Sequence, residues 1–349
     1  DEGCRTPDRG VGDCIPLSEC KPLTDFLKSA SKPLSQNVIN KLNSYTCSFE
    51  ANSVKVCCPS TPINIIDENK QTTASPQIST ENPPPPDVTS HNNFGLLPKN
   101  CGYLPLDDKI INGENAMLNE FPWMALLSYS TTRGPQFRCG GSVINDRWIL
   151  TAAHCVSALS EPLLGVRVGE YNIVSKVDCQ TQHNGSNKCS PPVQDLAIEE
   201  TLIHPGFNRT IIKNVRPVCL PVDNSRDAKY TNVIITGWGI TATGKASNIL
   251  QKVSLPVISL EQCQSVYKKD PRARVTYKQV CAGGTDKKDS CPGDSGGPMQ
   301  VAAYLNDEIR YVQQGIVSFG PRECGLNGFP GVYTRIAYYM DWILDTIRP

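Results

Sequence analysis

Two stretches of this chain hold residues whose types and order suit nucleophilic catalysis. Ser295 lies in the run 289–298, where three glycines surround it and free the backbone N–H groups to turn toward a developing oxyanion. A serine hydroxyl needs a base at neutral pH, and His154, after the apolar run 148–150, is the best candidate. The alternatives are a structural histidine beside a disulfide and a plain glycine loop. The other histidines lie in predicted loops and turns, where we expect solvated side chains: His91, His183 and His204.

The overall composition excludes several classes of protein. Lys and Arg number 34 and Asp and Glu number 34, so the net charge is zero and nothing global favours binding to nucleic acid or to an anionic membrane. Apolar residues make up 39% of the 349, which is enough for a packed core. No run approaches the roughly 18 uninterrupted apolar residues of a membrane-spanning helix.

Sixteen cysteines indicate disulfide bonds. The chain contains no C-x-x-C pattern, which argues against a zinc ribbon or a redox-active pair. A high, even count without metal spacing is typical of an oxidising compartment. Because the sequence starts at Asp1 and has no leading apolar segment, we expect a mature secreted chain whose signal peptide has been removed.

The chain divides into three regions. Residues 1–58 hold six cysteines in a stretch too small for a core of its own, and counting alone allows fifteen pairings among them. Residues 59–109 are rich in Pro, Ser, Thr and Asn and predict a solvated linker. Residues 110–349 contain many short β-branched runs between turn residues, which predict strands, followed by helical spacing over 338–347.

These motifs carry a family resemblance. The runs 151–155 (Thr-Ala-Ala-His-Cys) and 293–298 (Gly-Asp-Ser-Gly-Gly-Pro) resemble the His and Ser motifs of chymotrypsin-fold serine proteases, and 110–113, 237–239 and 330–333 are similar to other landmarks of that family. The six-cysteine region resembles the clip domain of arthropod immune and developmental proteases. The resemblance implies a mostly β fold of two antiparallel β-barrels behind a small disulfide-rich clip domain. The implied domains are a clip domain at 1–58, a linker ending in the activation peptide at 59–109, and a trypsin-like domain at 110–349.

The resemblance assigns roles to individual residues. His154 would act as general base and then general acid, and Ser295 would attack the scissile carbonyl, as in the Ser-His-Asp triad described for this family. The backbone N–H groups of Gly293 and Ser295 would form the oxyanion hole. Asp289 falls where trypsin-like members place a carboxylate that selects Arg or Lys, although it could also be a surface residue. Further pocket residues would be Ser318, Gly320 and Gly331.

The resemblance also implies activation by cleavage. The family is cut before an Ile or Val, here between Lys109 and Ile110, so the activator would itself be trypsin-like. The new ammonium of Ile110 would pair with Asp294 and order the pocket and the oxyanion hole.

The resemblance pairs all sixteen cysteines. The implied disulfides are Cys4–Cys57, Cys14–Cys47, Cys20–Cys58, Cys101–Cys219, Cys139–Cys155, Cys179–Cys189, Cys263–Cys281 and Cys291–Cys324. The chemistry requires no cofactor. Glu170 and Asn172 resemble the start of a calcium loop found in some members, with Asp178 as a third oxygen ligand. Asn184 and Asn208 begin N-glycosylation sequons.

The chain departs from its family at the third triad residue. In relatives, a strand with an Asp-Ile-Ala-Leu-like sequence carries the acid between a His-Pro turn and a Pro-Val-Cys-Leu-Pro segment. Here these landmarks begin at His204 and Pro217, and the nine residues 208–216 contain no acid. Asp195 begins a similar Asp-Leu-Ala-Ile run, but it precedes the turn. Asp195 is therefore the remaining candidate for orienting His154.

Two functions follow from this sequence. The first is a secreted serine endopeptidase zymogen that cleaves after Arg or Lys in an innate-immune or developmental cascade, such as melanization or Toll signalling, in an extracellular, haemolymph-like fluid. Its implied partners are a protein substrate with a basic residue before the scissile bond, an upstream trypsin-like protease and a serpin inhibitor, with no nucleic acid and no membrane. The second is a non-catalytic clip-domain homologue that acts as a cofactor or decoy, because the acidic strand is missing. A purely structural disulfide scaffold explains neither the Ser295 motif nor the activation site.

Overall fold

The structure is a computed structural model. It describes residues 3–7, 10–29, 45–50, 53–60, 82–103, 114–157, 159–181, 186–204, 216–222, 230–241, 244–268, 270, 273–285, 289–305, 308–321 and 324–349. The activation site Lys109–Ile110 and both sequons, Asn184 and Asn208, lie outside these residues. The chain divides into two compact units, the first comprising Asp1–Glu81, Asp227–Thr231 and Ala302–Arg310 and the second the remainder.

The first unit contains a small disulfide-bonded domain. Its four-stranded antiparallel sheet has the order β1-β2-β4-β3. The strands are β1 (Gly3–Arg5), β2 (Val11–Pro16), β3 (Thr46–Glu50) and β4 (Ser53–Pro59), and helix α1 spans Lys21–Ser29 after a 3-10 turn at Leu17–Glu19. The helix buries Leu23 and Leu27 against Tyr45 and Val56. So small a core gains much of its stability from three disulfides, which constrain the unfolded chain.

Part of the predicted linker is packed against the protein. In the described residues 82–103, the side chain of Val88 is buried, and a 3-10 turn spans Phe94–Leu96. The Asn93 amide donates to the carbonyl oxygen of Leu344 at 2.8 Å, and His91 lies 3.0 Å from Asp345. The expectation of a fully solvated linker is therefore wrong for this stretch, because contacts far apart in sequence give it partners that composition does not reveal.

The first half of the second unit forms an open sheet. Its five described strands have the order β12-β9-β6-β7-β8. They are β6 (Met124–Thr131), β7 (Gly134–Val143), β8 (Ile149–Leu150), β9 (Leu163–Val168) and β12 (Gln194–Ala197). The core face buries apolar side chains such as Leu127, Val143 and Val166. Strands β8 and β12 end the sheet and are not paired with each other, so this half is a half-barrel among the described residues.

The second half forms a closed barrel. Six strands follow the order β13-β16-β17-β18-β15-β14, and β14 pairs back onto β13. They are β13 (Asn232–Gly237), β14 (Gln251–Ile258), β15 (Gln279–Ala282), β16 (Pro298–Leu305), β17 (Glu308–Phe319) and β18 (Gly331–Arg335), with β5 (Glu114–Asn115) added to β14. A separate hairpin joins β10 (Cys179–Thr181) and β11 (Asn187–Cys189). Val233, Ile235, Leu255 and Met299 are buried in this half. The predicted mostly β fold is confirmed, with one barrel closed and one open.

Two helices lie against this domain. Helix α2 (Leu260–Tyr267) begins at a capping box formed by Ser259 and Gln262. A 3-10 turn at Ile336–Tyr339 leads into α3 (Met340–Thr346), which buries Met340, Ile343 and Leu344. The helix predicted over 338–347 is therefore present. No helix among the described residues has both the length and the apolar character needed to cross a bilayer.

Seven of the eight expected disulfides form. They are Cys4–Cys57, Cys14–Cys47, Cys20–Cys58, Cys101–Cys219, Cys139–Cys155, Cys179–Cys189 and Cys263–Cys281. The predicted Cys291–Cys324 disulfide is wrong, because both residues carry free thiols. Burial and a hydrogen bond donated to Cys324 raise the pKa of the Cys291 thiol, so the thiol stays protonated.

Candidate active site

The loop that carries Ser295 turns at two glycines. Gly293 and Gly296 have φ of 103° and 83°, which side chains other than glycine rarely adopt. The N–H of Asp294 donates to the carbonyl oxygen of Cys291, and the N–H of Gly297 to that of Asp294. Among the described residues, the N–H groups of Gly293 and Ser295 donate to no acceptor, which leaves both available to a ligand oxygen.

Close packing fixes this loop against the half-barrel. The N–H of Gly140 donates to the carbonyl oxygen of Ser295 at 2.8 Å. A side chain at Gly296 would collide with the Thr151 hydroxyl and with the carbonyl oxygen of Gly140, which bond each other at 2.7 Å. Sequence reasoning missed these two supporting residues, although Thr151 lies in the His motif itself.

The turn that carries His154 contacts the Ser295 loop through the neighbouring Cys155. His154 sits in a 3-10 turn, Ala153–Cys155, and a ring nitrogen lies within 4.8 Å of the sulfurs of Cys139 and Cys155. The Cys155 sulfur is in turn 3.5 Å from the carbonyl oxygen of Ser295. These sulfurs form a disulfide, so they cannot serve as thiolate ligands for a metal.

The imidazole of His154 lacks the partners of a complete triad. Its side chain makes no hydrogen bond to the Ser295 hydroxyl or to a carboxylate within the described part of the chain. The ring reaches solvent on one side, but its neighbours remove enough water to lower the pKa of His154 below the usual 6.5. A neighbouring carboxylate would have the opposite effect on that pKa.

The carboxylate of Asp195 pairs with Arg167 and not with His154. Register places Asp195 of β12 opposite Arg167 of β9, and both carboxylate oxygens accept from the guanidinium, at 2.7 and 2.8 Å. This hydrogen bonding lowers the pKa of Asp195, and the side chain is 64% exposed. The hypothesis that Asp195 orients the imidazole is corrected: strand pairing gives the carboxylate a different cation. Arg167 itself was missed, because only the register reveals the pair.

Asp289 is a carboxylate without a cationic partner among the described residues. Its Oδ1 accepts from the Ser290 N–H at 2.8 Å, while Oδ2 is buried and has no hydrogen-bond partner. Burial raises the pKa of Asp289 to about 6, partly offset by the hydrogen bonds that it accepts from backbone N–H groups. A buried oxygen in this state is suited to a cationic ligand, because an unpaired buried charge is costly.

Two glycines keep the space before Asp289 open. A Cβ on Gly331 would lie 2.9 Å from Oδ1 of Asp289. A Cβ on Gly320 would meet only the Cα of Gly331, at 3.7 Å. Ser318, at the β-bulge between Val317 and Phe319, precedes this wall. Asp289, Gly320 and Gly331 therefore lie close together, and their role as a substrate pocket stays a prediction.

Asp294 is enclosed by backbone. Its Oδ1 accepts from the Gly239 N–H at 2.8 Å and its Oδ2 from the Cys291 N–H at 2.9 Å. Side chains at Gly237 or Gly239 would collide with the carboxylate, so these glycines make its position possible. Burial raises the pKa of Asp294 to about 6. Ionised Asp294 therefore stands in an apolar setting where an ammonium group would stabilise it.

Two carboxylates, Glu170 and Asp178, lie close together in the predicted calcium loop. Glu170 is buried; it accepts from Arg167 at 3.3 Å and from the Tyr171 N–H at 2.9 Å. Asp178 accepts from the N–H groups of Tyr171 and Asn172. Burial and then the charge of Asp178 raise the pKa of Glu170. Calcium takes six to eight oxygens, and Arg167 already neutralises one of these acids, so calcium binding stays a prediction.

Comparisons with known proteins agree with this geometry. Residues 110–343 match the model of the Trypsin family, and residues 4–58 match the Regulatory CLIP domain of proteinases. The chain is 38% identical over 373 residues to Phenoloxidase-activating factor 1 of Holotrichia diomphalia, covering 99% of this chain and 94% of that protein. It is 35% identical to Melanization protease 1 of Drosophila melanogaster, with 99% and 93% covered.

A solved structure is similar as well. The crystal structure of the Drosophila Grass clip serine protease of the Toll pathway matches with a TM-score of 0.63 and 32% identity, covering 99% of this chain and 97% of that one. The alignment with the Holotrichia protein, at 373 positions, is longer than the entire 349-residue chain. That relative therefore contains residues that have no counterpart here.

Proposed function

The chain belongs to the trypsin family of serine proteases and carries a regulatory CLIP domain, and we propose that it is the zymogen of a secreted endopeptidase that cleaves after Arg or Lys in an immune cascade. The observation that carries this proposal is the Ser295 loop, whose two unused N–H groups flank the nucleophile. The names of the relatives, which refer to phenoloxidase activation, melanization and the Toll pathway, support a cascade of innate immunity.

The reaction proceeds from the residues of the cleft. Ser295 attacks the scissile carbonyl while His154 accepts its proton and then returns it to the leaving amine. The N–H groups of Gly293 and Ser295 hold the oxyanion. The hydrogen bond between imidazole and hydroxyl forms in the complex with substrate, where catalytic contacts tighten.

The preference for a basic residue rests on Asp289. Its Oδ2 has no hydrogen-bond partner among the described residues, its Oδ1 lies beside Gly331, and no side chain from Gly320 or Gly331 blocks the approach. A bound Arg or Lys places its cation against this oxygen. The Coulomb attraction is large there because the site is shielded from water.

Activation rests on Asp294. In the uncut chain, within the part that the structure describes, its carboxylate accepts from the backbone N–H groups of Gly239 and Cys291. Cleavage after Lys109 creates the ammonium of Ile110, which pairs with Asp294 and holds the Ser295 loop in its active shape. An upstream trypsin-like protease supplies the cut, and a serpin is the expected inhibitor.

A second function is favoured by one observation. Asp195 is bound to Arg167, so His154 has no carboxylate partner among the described residues. A chain with so weak a base would act as a non-catalytic cofactor or decoy in the same cascade. Intact Ser295, His154 and Asp289 favour the protease.

Labelling of Ser295 by a fluorophosphonate separates these two functions. We expect the full chain to be labelled only after a trypsin-like protease has cut it at Lys109, and the Lys109→Gln control to stay unlabelled. The two pieces should separate on a gel only under reduction, because Cys101–Cys219 joins them. A correctly cut, folded chain that is never labelled would favour the cofactor.

A further inference from the structure

Two glutamines on adjacent strands of the closed barrel are completely buried. They are Gln300 of β16 and Gln313 of β17, and their neighbours along the strands include the buried apolar residues Met299, Val301 and Val312. Burying an amide costs free energy unless new hydrogen bonds replace those that it made with water. The bonds that these two amides make therefore show what the glutamines do in the fold.

Each amide accepts a hydrogen bond from the half-barrel. Oε1 of Gln300 accepts from the indole Nε1 of Trp123, the residue before β6, at 2.8 Å. Oε1 of Gln313 accepts from the hydroxyl of Ser142, in β7, at 2.6 Å. Trp123 and Ser142 are buried as completely as the glutamines, so water does not compete for these bonds. All four residues belong to the second compact unit.

The other end of each amide is held within the closed barrel. Nε2 of Gln300 donates to the hydroxyl of Thr236 at 3.3 Å, and Nε2 of Gln313 donates to the carbonyl oxygen of Gly315 at 3.1 Å. An indole nitrogen can only donate and a carbonyl oxygen can only accept, so neither amide can turn over without losing a bond. Each glutamine therefore joins the two barrels through bonds of fixed direction.

The joined strands lead to the two reactive side chains. Ser142 pairs in register with Leu150, which lies four residues before His154. Gln300 lies five residues after Ser295, in the strand that follows the Ser295 loop. Apolar contacts between the barrels have no preferred direction, whereas hydrogen bonds do. The glutamine bonds therefore limit how far the barrels can slide past each other.

We propose that Gln300 and Gln313 are positioning residues, which hold the half-barrel against the closed barrel and so set the place of the His154 imidazole relative to the Ser295 hydroxyl. The docking of the barrels stands on its own, whereas its effect on hydrolysis rests on the proposed function. Both glutamines act through the strands that they join. A misplacement of about 1 Å between reacting groups can cost 10²-fold in rate, so small shifts between the barrels matter.

Four variants of the full chain test this proposal. Gln313→Leu and Ser142→Ala remove the same bond between the barrels from opposite sides, and Gln300→Leu removes the other bond; we call these three the bridging variants. Gln279→Leu is the matched control, since Oε1 of Gln279, in β15, accepts from Thr276 three residues before it. Circular dichroism establishes that each variant is folded.

Fluorophosphonate labelling of Ser295 measures alignment in the chain cut at Lys109, and the affinity for benzamidine measures the proposed pocket at Asp289, in the closed barrel. We expect the bridging variants to label about tenfold more slowly, within the roughly 100-fold that an imidazole without its acid contributes. Their benzamidine affinity should change less than twofold, and the control should match the wild type. Unchanged labelling, or an affinity that falls as far as the labelling rate, would overturn the proposal.

A double variant tests whether one bond explains both of its single variants. Ser142→Ala/Gln313→Leu should label no more slowly than Gln313→Leu alone, because residues that share one bond are not additive. The double variant also leaves no hydroxyl facing a lost amide, so it is folded even if Gln313→Leu is not. Additive losses would show that the two residues act separately and would overturn the proposal.

Amide hydrogen exchange tests the docking without any activity. In the uncut chain, the bridging variants should speed exchange about tenfold in the stretch 149–155, which carries His154, while Gln279→Leu leaves it unchanged. Gln300 and Gln313 lie in the other barrel, so a local loss of packing around them would not move this readout. Unchanged exchange would overturn the proposal. Faster exchange in a chain that, once cut, is never labelled would uphold the docking and reject the proposed protease.

Discussion

The two halves of the protease domain differ in completeness. The closed barrel carries Ser295, Asp289 and Asp294 in a loop whose backbone and carboxylates are held by named hydrogen bonds. The half-barrel carries His154, which has an apolar cavity and a disulfide as neighbours but no carboxylate within the described residues. The groups proposed to bind substrate and to stabilise an oxyanion thus lie in the closed barrel, and the proposed base in the half-barrel lacks a carboxylate partner among the described residues.

This difference shows how the parts of a protease site depend on the fold. A closed sheet pairs all its strand edges and holds a loop rigidly, whereas an open sheet loses whatever its missing strand would carry. A chain of this family can therefore keep the site residues of the closed barrel while its half-barrel lacks a strand and what that strand would carry. Each prediction below compares a change in the closed barrel with one in the half-barrel.

The largest effect is expected for Asp289→Ser in the closed barrel. Loss of the buried carboxylate leaves a bound Arg or Lys unpaired, which costs about 2–5 kcal/mol. We expect kcat/KM for substrates with a basic residue before the scissile bond to fall about 10²- to 10³-fold, with no loss for apolar substrates. Steady-state assays on matched peptides measure both. An unchanged preference for Arg would show that another residue selects it.

A smaller effect is expected for His154→Ala in the half-barrel. In a complete triad, loss of the histidine costs about 2 × 10⁶ in kcat and loss of the acid about 3 × 10⁴, so a histidine without its acid contributes only about 10². We expect the cut variant to label about 100-fold more slowly with fluorophosphonate, while the control Ser295→Ala is not labelled. A loss of 10⁴ or more would show that His154 has an acid partner after all.

The pH dependence of stability should have opposite signs in the two halves. The raised pKa values of Asp289 and Asp294, both about 6, mean that the folded chain holds these protons more tightly than the unfolded chain. The free energy of unfolding of the uncut chain should therefore fall as the pH rises from about 4 to about 6, by on the order of 2 kcal/mol for each carboxyl. Asp195 has a lowered pKa, so its contribution is present above pH 4 and is lost only as the pH falls below that.

Urea titrations at several pH values measure this difference. Asp289→Asn should flatten the decline between pH 4 and 6. The matched Asp195→Asn should leave the decline intact and change stability by no more than about 1 kcal/mol, because its ion pair is exposed. Stability that rises from pH 4 to 6 would contradict the burial of the two carboxyls.

The features that local motifs determine are the ones that the sequence predicted best. The Ser295 loop needs glycines at Gly293 and Gly296 for its positive φ angles, and these glycines are visible in the sequence. Seven disulfides followed from the family resemblance, whereas the free thiols of Cys291 and Cys324 depend on atomic positions that the pattern does not encode.

Contacts between distant strands could not be predicted in the same way. The run beginning at Asp195 resembles an acidic triad strand, but the register of β12 against β9 sets it opposite Arg167. The packing of Val88 and Asn93 against the protein is equally invisible in a proline-rich composition. The cavity beside His154 arises from segments far apart in sequence, so only the fold reveals it.

The central claim is that His154 has no carboxylate partner among the residues that the structure describes. Measuring the pKa of His154 by NMR, in the wild-type uncut chain and in Asp195→Asn, tests it most directly. The account predicts a pKa below 6.5 that Asp195→Asn does not change, because burial lowers it and Asp195 belongs to Arg167. A pKa above 6.5 that falls in Asp195→Asn would contradict it.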